Sequence, residues 1–289
     1  MTKIMVDLNN PDNRELYRVD GVILSDPDFS LYPGRTYNRA EMERLVTDCK
    51  KRGIMIIVNI DKIIEEDELN ALEDALAFYF RLGVDFYLYS DFAVLSYFTE
   101  RKATHRLIYD PKTLITNYQD AKIHQNWGSF VVISNEISRS EMEKLVAVGN
   151  VVLEVYGHRR LFYSRRHLLT TFGKYAHLHL AEKTAYTLRE EFRDDYYLIY
   201  QSLPGTLVYT DYRIAFFREL AELSPPPAFL RINGAFVPEK ELVSIVALYR
   251  TLLEKPDWAD RLYKKMKEIY PHLGTGYLAA SNLYEGDNL

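Results

Sequence analysis

Short apolar runs rich in β-branched and aromatic residues alternate along the whole chain with longer stretches of helical periodicity. Ile4 to Leu8, Gly21 to Ser25, Ile54 to Ile60, Phe86 to Tyr89, Arg106 to Tyr109, Phe130 to Ser134, Val151 to Tyr156 and Phe229 to Ile232 predict eight strands. Helices are predicted over Arg39 to Arg52, Glu65 to Leu82, Phe92 to Arg101, Tyr118 to Asn126 and Arg139 to Val148, the first with Met42, Leu45, Val46 and Cys49 on one face. Border signals agree: Asn38, Asp91 and Ser138 suit N-caps, and Gly53, Gly83 and Gly149 suit C-terminal stops.

Strands followed by helices, with runs apolar enough for burial on both faces, describe a (βα)8 TIM-barrel-like fold better than an open doubly wound sheet. The spacing breaks between the seventh and eighth strands. There a long helix-like segment to Glu191 precedes Tyr196 to Tyr200, Pro204-Gly205 and Thr206 to Tyr209, which read as a β-hairpin insertion. Pro225-Pro226-Pro227 introduces the eighth strand and Pro238 to Glu254 supplies its helix. The expected organisation is a barrel over 1–255, including an insertion over 173–213, and a C-terminal helix and tail over 256–289 packed on it.

Composition narrows the classes. An apolar fraction of 47% supports a continuous core, and a net charge of -5 argues against a surface coated in basic charge for nucleic acid. The 23 tyrosines serve packing first, with stacking as a second use. A single cysteine, Cys49, excludes an intrachain disulfide and any cluster or zinc site held by this chain's cysteines alone; it reads as a small buried filler. Nowhere do eighteen uncharged apolar residues run together, and no signal-peptide pattern opens the chain, so a cytoplasmic protein without a membrane partner is expected.

Against that acidic background, Gly157-His-Arg-Arg-Leu-Phe-Tyr-Ser-Arg-Arg-His-Leu-Leu169 holds four arginines and two histidines. It reads as a turn between the seventh strand and a helix capped by Ser164, with Arg165 and Arg166 in the first turn. Cations there oppose the helix dipole at a cost of about 0.3 to 1 kcal/mol each, so an anion would complete the spot. A solvated basic turn whose arginines reach nearby carboxylates is the equal alternative. In a barrel, chemistry gathers at the C-terminal ends of strands. Those positions hold Asp7 and Asn9, Ser25 and Asp26, Asn59 and Asp61, Ser90 and Asp91, Asp110, Asn135 and Glu136, His158 with Arg159 and Arg160, and Arg231 with Asn233. Most are expected as caps and turn formers; the arginines on strands seven and eight exceed that expectation.

No phosphate loop, HExxH, nucleophile elbow or cysteine-histidine pair is present. Glu136 and Asp110 form an acid/base pair only if the fold brings them together. A metal site from Asp7, His158 and Glu136 is the weakest of the options, and none is expected.

The order of segments resembles peptidase family U-32, the collagenase-like proteins, over nearly the whole chain. Asp20-Gly-Val-Ile-Leu with Phe29-Ser-Leu31, Ile56-Ile-Val-Asn59, Asn135-Glu-Ile-Ser138, Glu154-Val-Tyr-Gly157 through Tyr163-Ser-Arg-Arg-His-Leu-Leu169, Leu230-Arg-Ile-Asn-Gly234 and Gly274-Thr-Gly-Tyr-Leu278 carry the likeness. It is strongest to a short form found as one of two paralogous subunits. Relatives with an iron-sulfur cluster use cysteines where this chain has Arg160 and His167, so that cluster is not expected here. The family's Ser-Thr-Gln segment is replaced by Asp110-Pro-Lys112, and its later Gly-Arg by Gly234-Ala235.

The resemblance implies two activities: proteolysis, and prephenate-dependent hydroxylation of the tRNA wobble uridine. For tRNA, the basic turn would contact phosphates while Tyr156, Phe162 and Tyr163 offer stacking faces. For prephenate or another small carboxylate, Arg159, Arg160 and Arg231 would form a clamp. A peptidase would use Glu136 and His158 beside a metal or activated water. A noncatalytic partner of a larger cysteine-bearing U-32 subunit is the third reading. The expectation carried forward is a subunit or accessory factor of tRNA hydroxylation, with Arg159, Arg160, Arg165, Arg166, Arg231, Tyr156 and Tyr163 binding anion or RNA, and Asn59, Asp110 and Asn233 as further strand-end candidates.

Overall fold

The apolar runs become the strands of a closed parallel barrel. The computed structural model describes residues 1–13, 18–189, 191 and 196–279. Strands β1 (Lys3–Asp7), β2 (Gly21–Ser25), β3 (Met55–Ile60), β4 (Phe86–Tyr89), β5 (Leu107–Tyr109), β6 (Phe130–Val132) and β7 (Val151–Ser164) pair in sequence order. After the antiparallel strands β8 (Ala185–Arg189), β9 (Tyr196–Ser202) and β10 (Gly205–Ala215), strand β11 (Phe229–Ile232) pairs in parallel with both β7 and β1 and closes the ring. A two-residue strand, β12 (Leu273–Gly274), adds to β10.

Helices α1 (Arg39–Lys51), α2 (Leu69–Leu82), α3 (Phe92–Glu100), α4 (Tyr118–Asn126) and α5 (Arg139–Val146) return the chain between barrel strands. Asn38 and Ser138 make capping boxes with Glu41 and Glu141, the Asp91 carboxylate accepts from the Ala93 N–H, and α2 stops at Gly83 in the left-handed region. Beyond them lie α6 (Leu168–Ala176), α7 (Arg218–Ala221), α8 (Glu239–Glu254) and α9 (Ala259–Ile269). Leu262 and Met266 of α9 join the main core with Leu242, Ile245 and Val246 of α8, so this part of the C-terminal extension packs on the barrel. Cys49 is a buried filler in α1. Among the described residues no helix is long and apolar enough to cross a membrane.

Two expectations fail around β7. The strand does not end at Tyr156; it runs eight residues further, to Ser164, because β10 supplies an antiparallel partner from Thr206 to Ala215. Backbone pairing therefore keeps a polar, arginine-bearing segment extended where composition suggested a turn. Nor does Ser164 cap a helix containing Arg165 and Arg166: its hydroxyl accepts from the Arg166 N–H, and α6 begins at Leu168. The free N–H groups of that first turn are satisfied from the inserted sheet. Leu168 N–H donates to Thr206 Oγ1, and Leu169 and Thr170 N–H donate to Gln201 Oε1. An amide oxygen thus occupies the place the sequence assigned to an anion.

The predicted hairpin is present as β9 and β10, but the helix-like stretch to Glu191 is helical only through Ala176, and β8 follows as a third antiparallel strand. Residues 190 and 192–195 of the insertion and 280–289 of the C-terminal extension lie outside the described residues.

The bend where β7 leaves the barrel wall depends on Gly157. Its φ is +131°, and a Cβ there would sit 2.7 Å from Asn233 Cβ and 2.8 Å from the Asn233 carbonyl oxygen. Gly157→Ala is expected to cost about 2 kcal/mol from backbone strain and overlap. Urea denaturation of the two proteins measures it, and an unchanged midpoint would refute the assignment.

Candidate functional site at the barrel mouth

Strand periodicity builds the site. Met5, Ile23, Ile57, Leu88, Ile108, Val132, Val152 and Phe229, one from each barrel strand, form an apolar layer inside the barrel. Side chains alternate, so the residue two further along each strand points the same way one layer nearer the C-terminal mouth. That layer is Asp7, Ser25, Asn59, Ser90, Asp110, Ser134, Glu154 and Arg231.

Its centre is Arg231, 2% exposed, with Asp110 at 2.7 Å, Asp7 at 3.5 Å and Glu154 at 3.8 Å. Two cations from outside the layer extend the network. Lys112 bonds to Asp110 and lies 3.8 Å from Asp61, while Arg160 reaches Asp61 at 3.3 Å. Asp7 also accepts from the Gly234 N–H, and Asn233 donates to Glu154 at 3.4 Å.

Burial raises the Asp7 and Glu154 carboxyls above the usual range against the pull of Arg231. Burial pushes Asp110 the same way, but Lys112 and Arg231 overcome it and hold that carboxyl low. For Arg231, burial works against the charge, and Asp7, Glu154 and Asp110 outweigh it. Asp7 Oδ1, Asn59 Oδ1, Asp110 Oδ1 and Arg231 Nε retain no hydrogen-bond partner among the described residues. Unused donors and acceptors therefore remain around a buried charge cluster, the material of a polar binding site.

Beside this network lies a cavity of about 30 Å3, lined among others by Lys112, Asn135, Glu136, Arg159 and Asn233. Chain atoms fill the mouth down to water-sized space. Arg159 is buried with its guanidinium over the Tyr277 ring, 5.2 Å from the centroid, and no ion-pair partner among the described residues lies within reach. The expected clamp of Arg159, Arg160 and Arg231 is therefore not assembled as three free arginines, since Arg231 and Arg160 are engaged by the chain's own carboxylates.

Glu136 and His158 are not brought together. Glu136 is exposed at the cavity rim, whereas His158, a residue of β7 paired with Arg213 of β10, is 3% exposed. His158 Nδ1 lies 2.8 Å from the Thr210 carbonyl, and its Nε2 accepts from Arg213 Nε at 3.1 Å, so the partners fix the neutral, Nδ1-protonated tautomer. Burial and the adjacent Arg213 charge push its pKa down to about 4. Asp7, His158 and Glu136 do not form a metal cage, and no three acidic, histidine or cysteine side chains among the described residues do.

Arg213 also donates to Tyr156 Oη at 3.0 Å and to Glu241 at 2.8 Å. Tyr156 is consequently buried and offers no stacking face. Tyr163, half-buried, donates to the Pro204 carbonyl. The groups that do reach solvent are Phe162, Arg165, which pairs with Glu65, and Arg166.

Sequence reasoning chose Arg231, Asp110, Asn59 and Asn233 and placed Asp7 and Asp61 among the strand-end positions, but passed over Glu154, Lys112 and Arg213. Glu154 carried a signal, being a lone carboxylate inside the apolar run Val151 to Val155. Arg213 carried none, because its partners come from β7 and α8.

The model of peptidase family U32 matches residues 13–287. Among curated proteins, tRNA hydroxylation protein P2 of Bacillus subtilis is 22% identical over 286 residues, covering 91% of each chain. Among solved structures, a U32 peptidase is similar with a TM-score of 0.51 at 16% identity, covering 82% of this chain and 94% of its own, a likeness of fold.

Proposed function

This chain belongs to peptidase family U32, and from that premise we propose that it acts in tRNA hydroxylation, as a subunit or accessory factor in modifying the wobble uridine. The end-to-end likeness to the Bacillus subtilis tRNA hydroxylation protein carries the proposal. The site supports it. A peptidase reading calls on His158 as a base or metal ligand, and both its ring nitrogens are engaged by Thr210 and Arg213.

The chain's single cysteine is buried in α1, so iron-sulfur chemistry in such a system falls to a cysteine-bearing paralogous subunit beside this one. Prephenate, or another small carboxylate, would pair with Arg159, the mouth arginine without an ion-pair partner among the described residues, only in a mouth opened beyond the water-sized cavity beside it. Transfer RNA would meet the exposed Phe162, Arg165 and Arg166, through stacking and phosphate contact.

Mass spectrometry of tRNA nucleosides tests the reading. Cells lacking the gene are expected to lose 5-hydroxyuridine-type nucleosides, and the full chain to restore them. The Arg165→Ala/Arg166→Ala protein should restore them poorly and show weaker, less salt-sensitive tRNA binding. Unchanged nucleosides in the deletion strain would overturn the proposal. Cleavage of denatured collagen by the purified protein, lost in Glu136→Gln, would establish the peptidase reading instead.

A further inference from the structure

The barrel mouth buries a cation without giving it a counter-ion, and the cover over that cation is slight. Arg159 is 4% exposed; its backbone N–H donates to Thr210 Oγ1, but its guanidinium has no hydrogen-bond or ion-pair partner among the described residues. A buried charge in that condition is costly, so an anion that could reach it would bind favourably. The C-terminal extension stands in the way. Three residues of β10, Thr210 to Tyr212, lie opposite the single residue Arg159 of β7, and the extension docks on this bulge. Tyr270 Oη donates to the Asp211 carbonyl, the Arg213 N–H donates to the His272 carbonyl, and a Cβ on Gly274 would sit 2.9 Å from the Tyr212 ring.

Past Gly274 that attachment ends. Among the described residues no hydrogen bond joins 275–278 to the barrel; Leu278 packs on the main core, and Gly276 and Tyr277 lie on Arg159 itself. The Tyr277 ring, 47% exposed, covers the guanidinium face. Gly276 covers an edge: its φ is +60°, and a Cβ there would sit 2.5 Å from Arg159 Nη1. A carboxylate grips a guanidinium through its N–H edge, so Gly276 stands where a ligand oxygen would go. A segment with so few bonds and so exposed a ring opens locally at low cost.

We propose that residues 275–278 form a strap that shuts the Arg159 site, and that a small carboxylate binds Arg159 only when the strap withdraws. The inference rests on reading Arg159 as the carboxylate contact and adds what controls access to it. The Tyr277 ring holds the strap down by its cation–π contact, and the absent side chain of Gly276 lets the backbone lie on Nη1. The closed form prevails without ligand, so the apparent affinity is the intrinsic one reduced by the open fraction.

Titration calorimetry of the full chain with malonate, at constant ionic strength, tests this. Gly276→Ala cannot seat the strap and Tyr277→Ala removes its hold, so each should bind malonate about tenfold more tightly than the parent. Tyr277→Phe, which keeps the ring, should match the parent, and adding Arg159→Gln to either opened variant should abolish binding. In the parent, saturating malonate should speed deuterium exchange at the amides of 275–278, because a ligand that binds only the open form populates it. Equal affinities in the parent and both opened variants, no binding in the opened variants, binding that survives Arg159→Gln, or amides slowed by malonate would each overturn the proposal. None of these measurements involves tRNA, so a deletion strain with unchanged nucleosides and a strap that stays shut are separate results.

Discussion

Replacing Arg231 with alanine should lower the unfolding free energy by about 3–5 kcal/mol, the cost of leaving buried carboxylates without their cation. Asp110, Asp7 and Glu154 surround the guanidinium, and all four residues are buried. Lys112 would still neutralise Asp110, leaving Asp7 and Glu154 to take up protons. The deficit in urea midpoint should therefore shrink as pH falls. If the alanine protein does not fold, Arg231→Lys keeps the charge without the two-armed fork and should lie between the two. A midpoint equal to the parent's at neutral pH would show that the cluster does not hold the mouth together.

Stability should also fall as the solution is acidified, and His158 should account for much of the slope. Its pKa is about 4 in the folded protein against 6.5 when unperturbed, so between these values the unfolded chain binds a proton that the folded chain refuses. Stability is thus full above about pH 6.5 and is lost as pH drops toward 4, by about 3 kcal/mol for this one group. His124, buried and likewise pushed down to about 4, acts in the same sense. Asp7 and Glu154 act in the opposite sense, since a raised carboxyl stabilises at low pH and loses that contribution as pH rises. Urea midpoints of the parent and His158→Gln, stepped from neutral to acid, should converge because the variant has the shallower slope. Parallel curves would clear His158 of the effect.

The helices were legible because their instructions are local. The Asn38 and Ser138 capping boxes involve residues three apart, and Met42, Leu45, Val46 and Cys49 share the buried face of α1 by helical spacing alone. The continuation of β7 was illegible because the strand from Gly157 to Ser164 exists through hydrogen bonds to a segment some fifty residues away. In the same way the α6 N-terminus looked open to an anion until Gln201 and Thr206 arrived from the inserted sheet.

By itself the sequence determined an eight-stranded barrel with its polar residues at strand ends, since a two-residue alternation and a helical period are written in the order of apolar side chains. It also shows a single cysteine, Cys49, in this chain. Only the tertiary structure decided which charges are spent on one another. Arg231, Arg160 and Arg159 look equivalent in the sequence, yet the first lies among three carboxylates, the second on Asp61, and the third against Tyr277. Ring closure sets these partnerships by bringing together residues more than a hundred positions apart, such as Arg231 and Asp110. The strength of a charge depends on its neighbours and their burial, which local sequence does not encode.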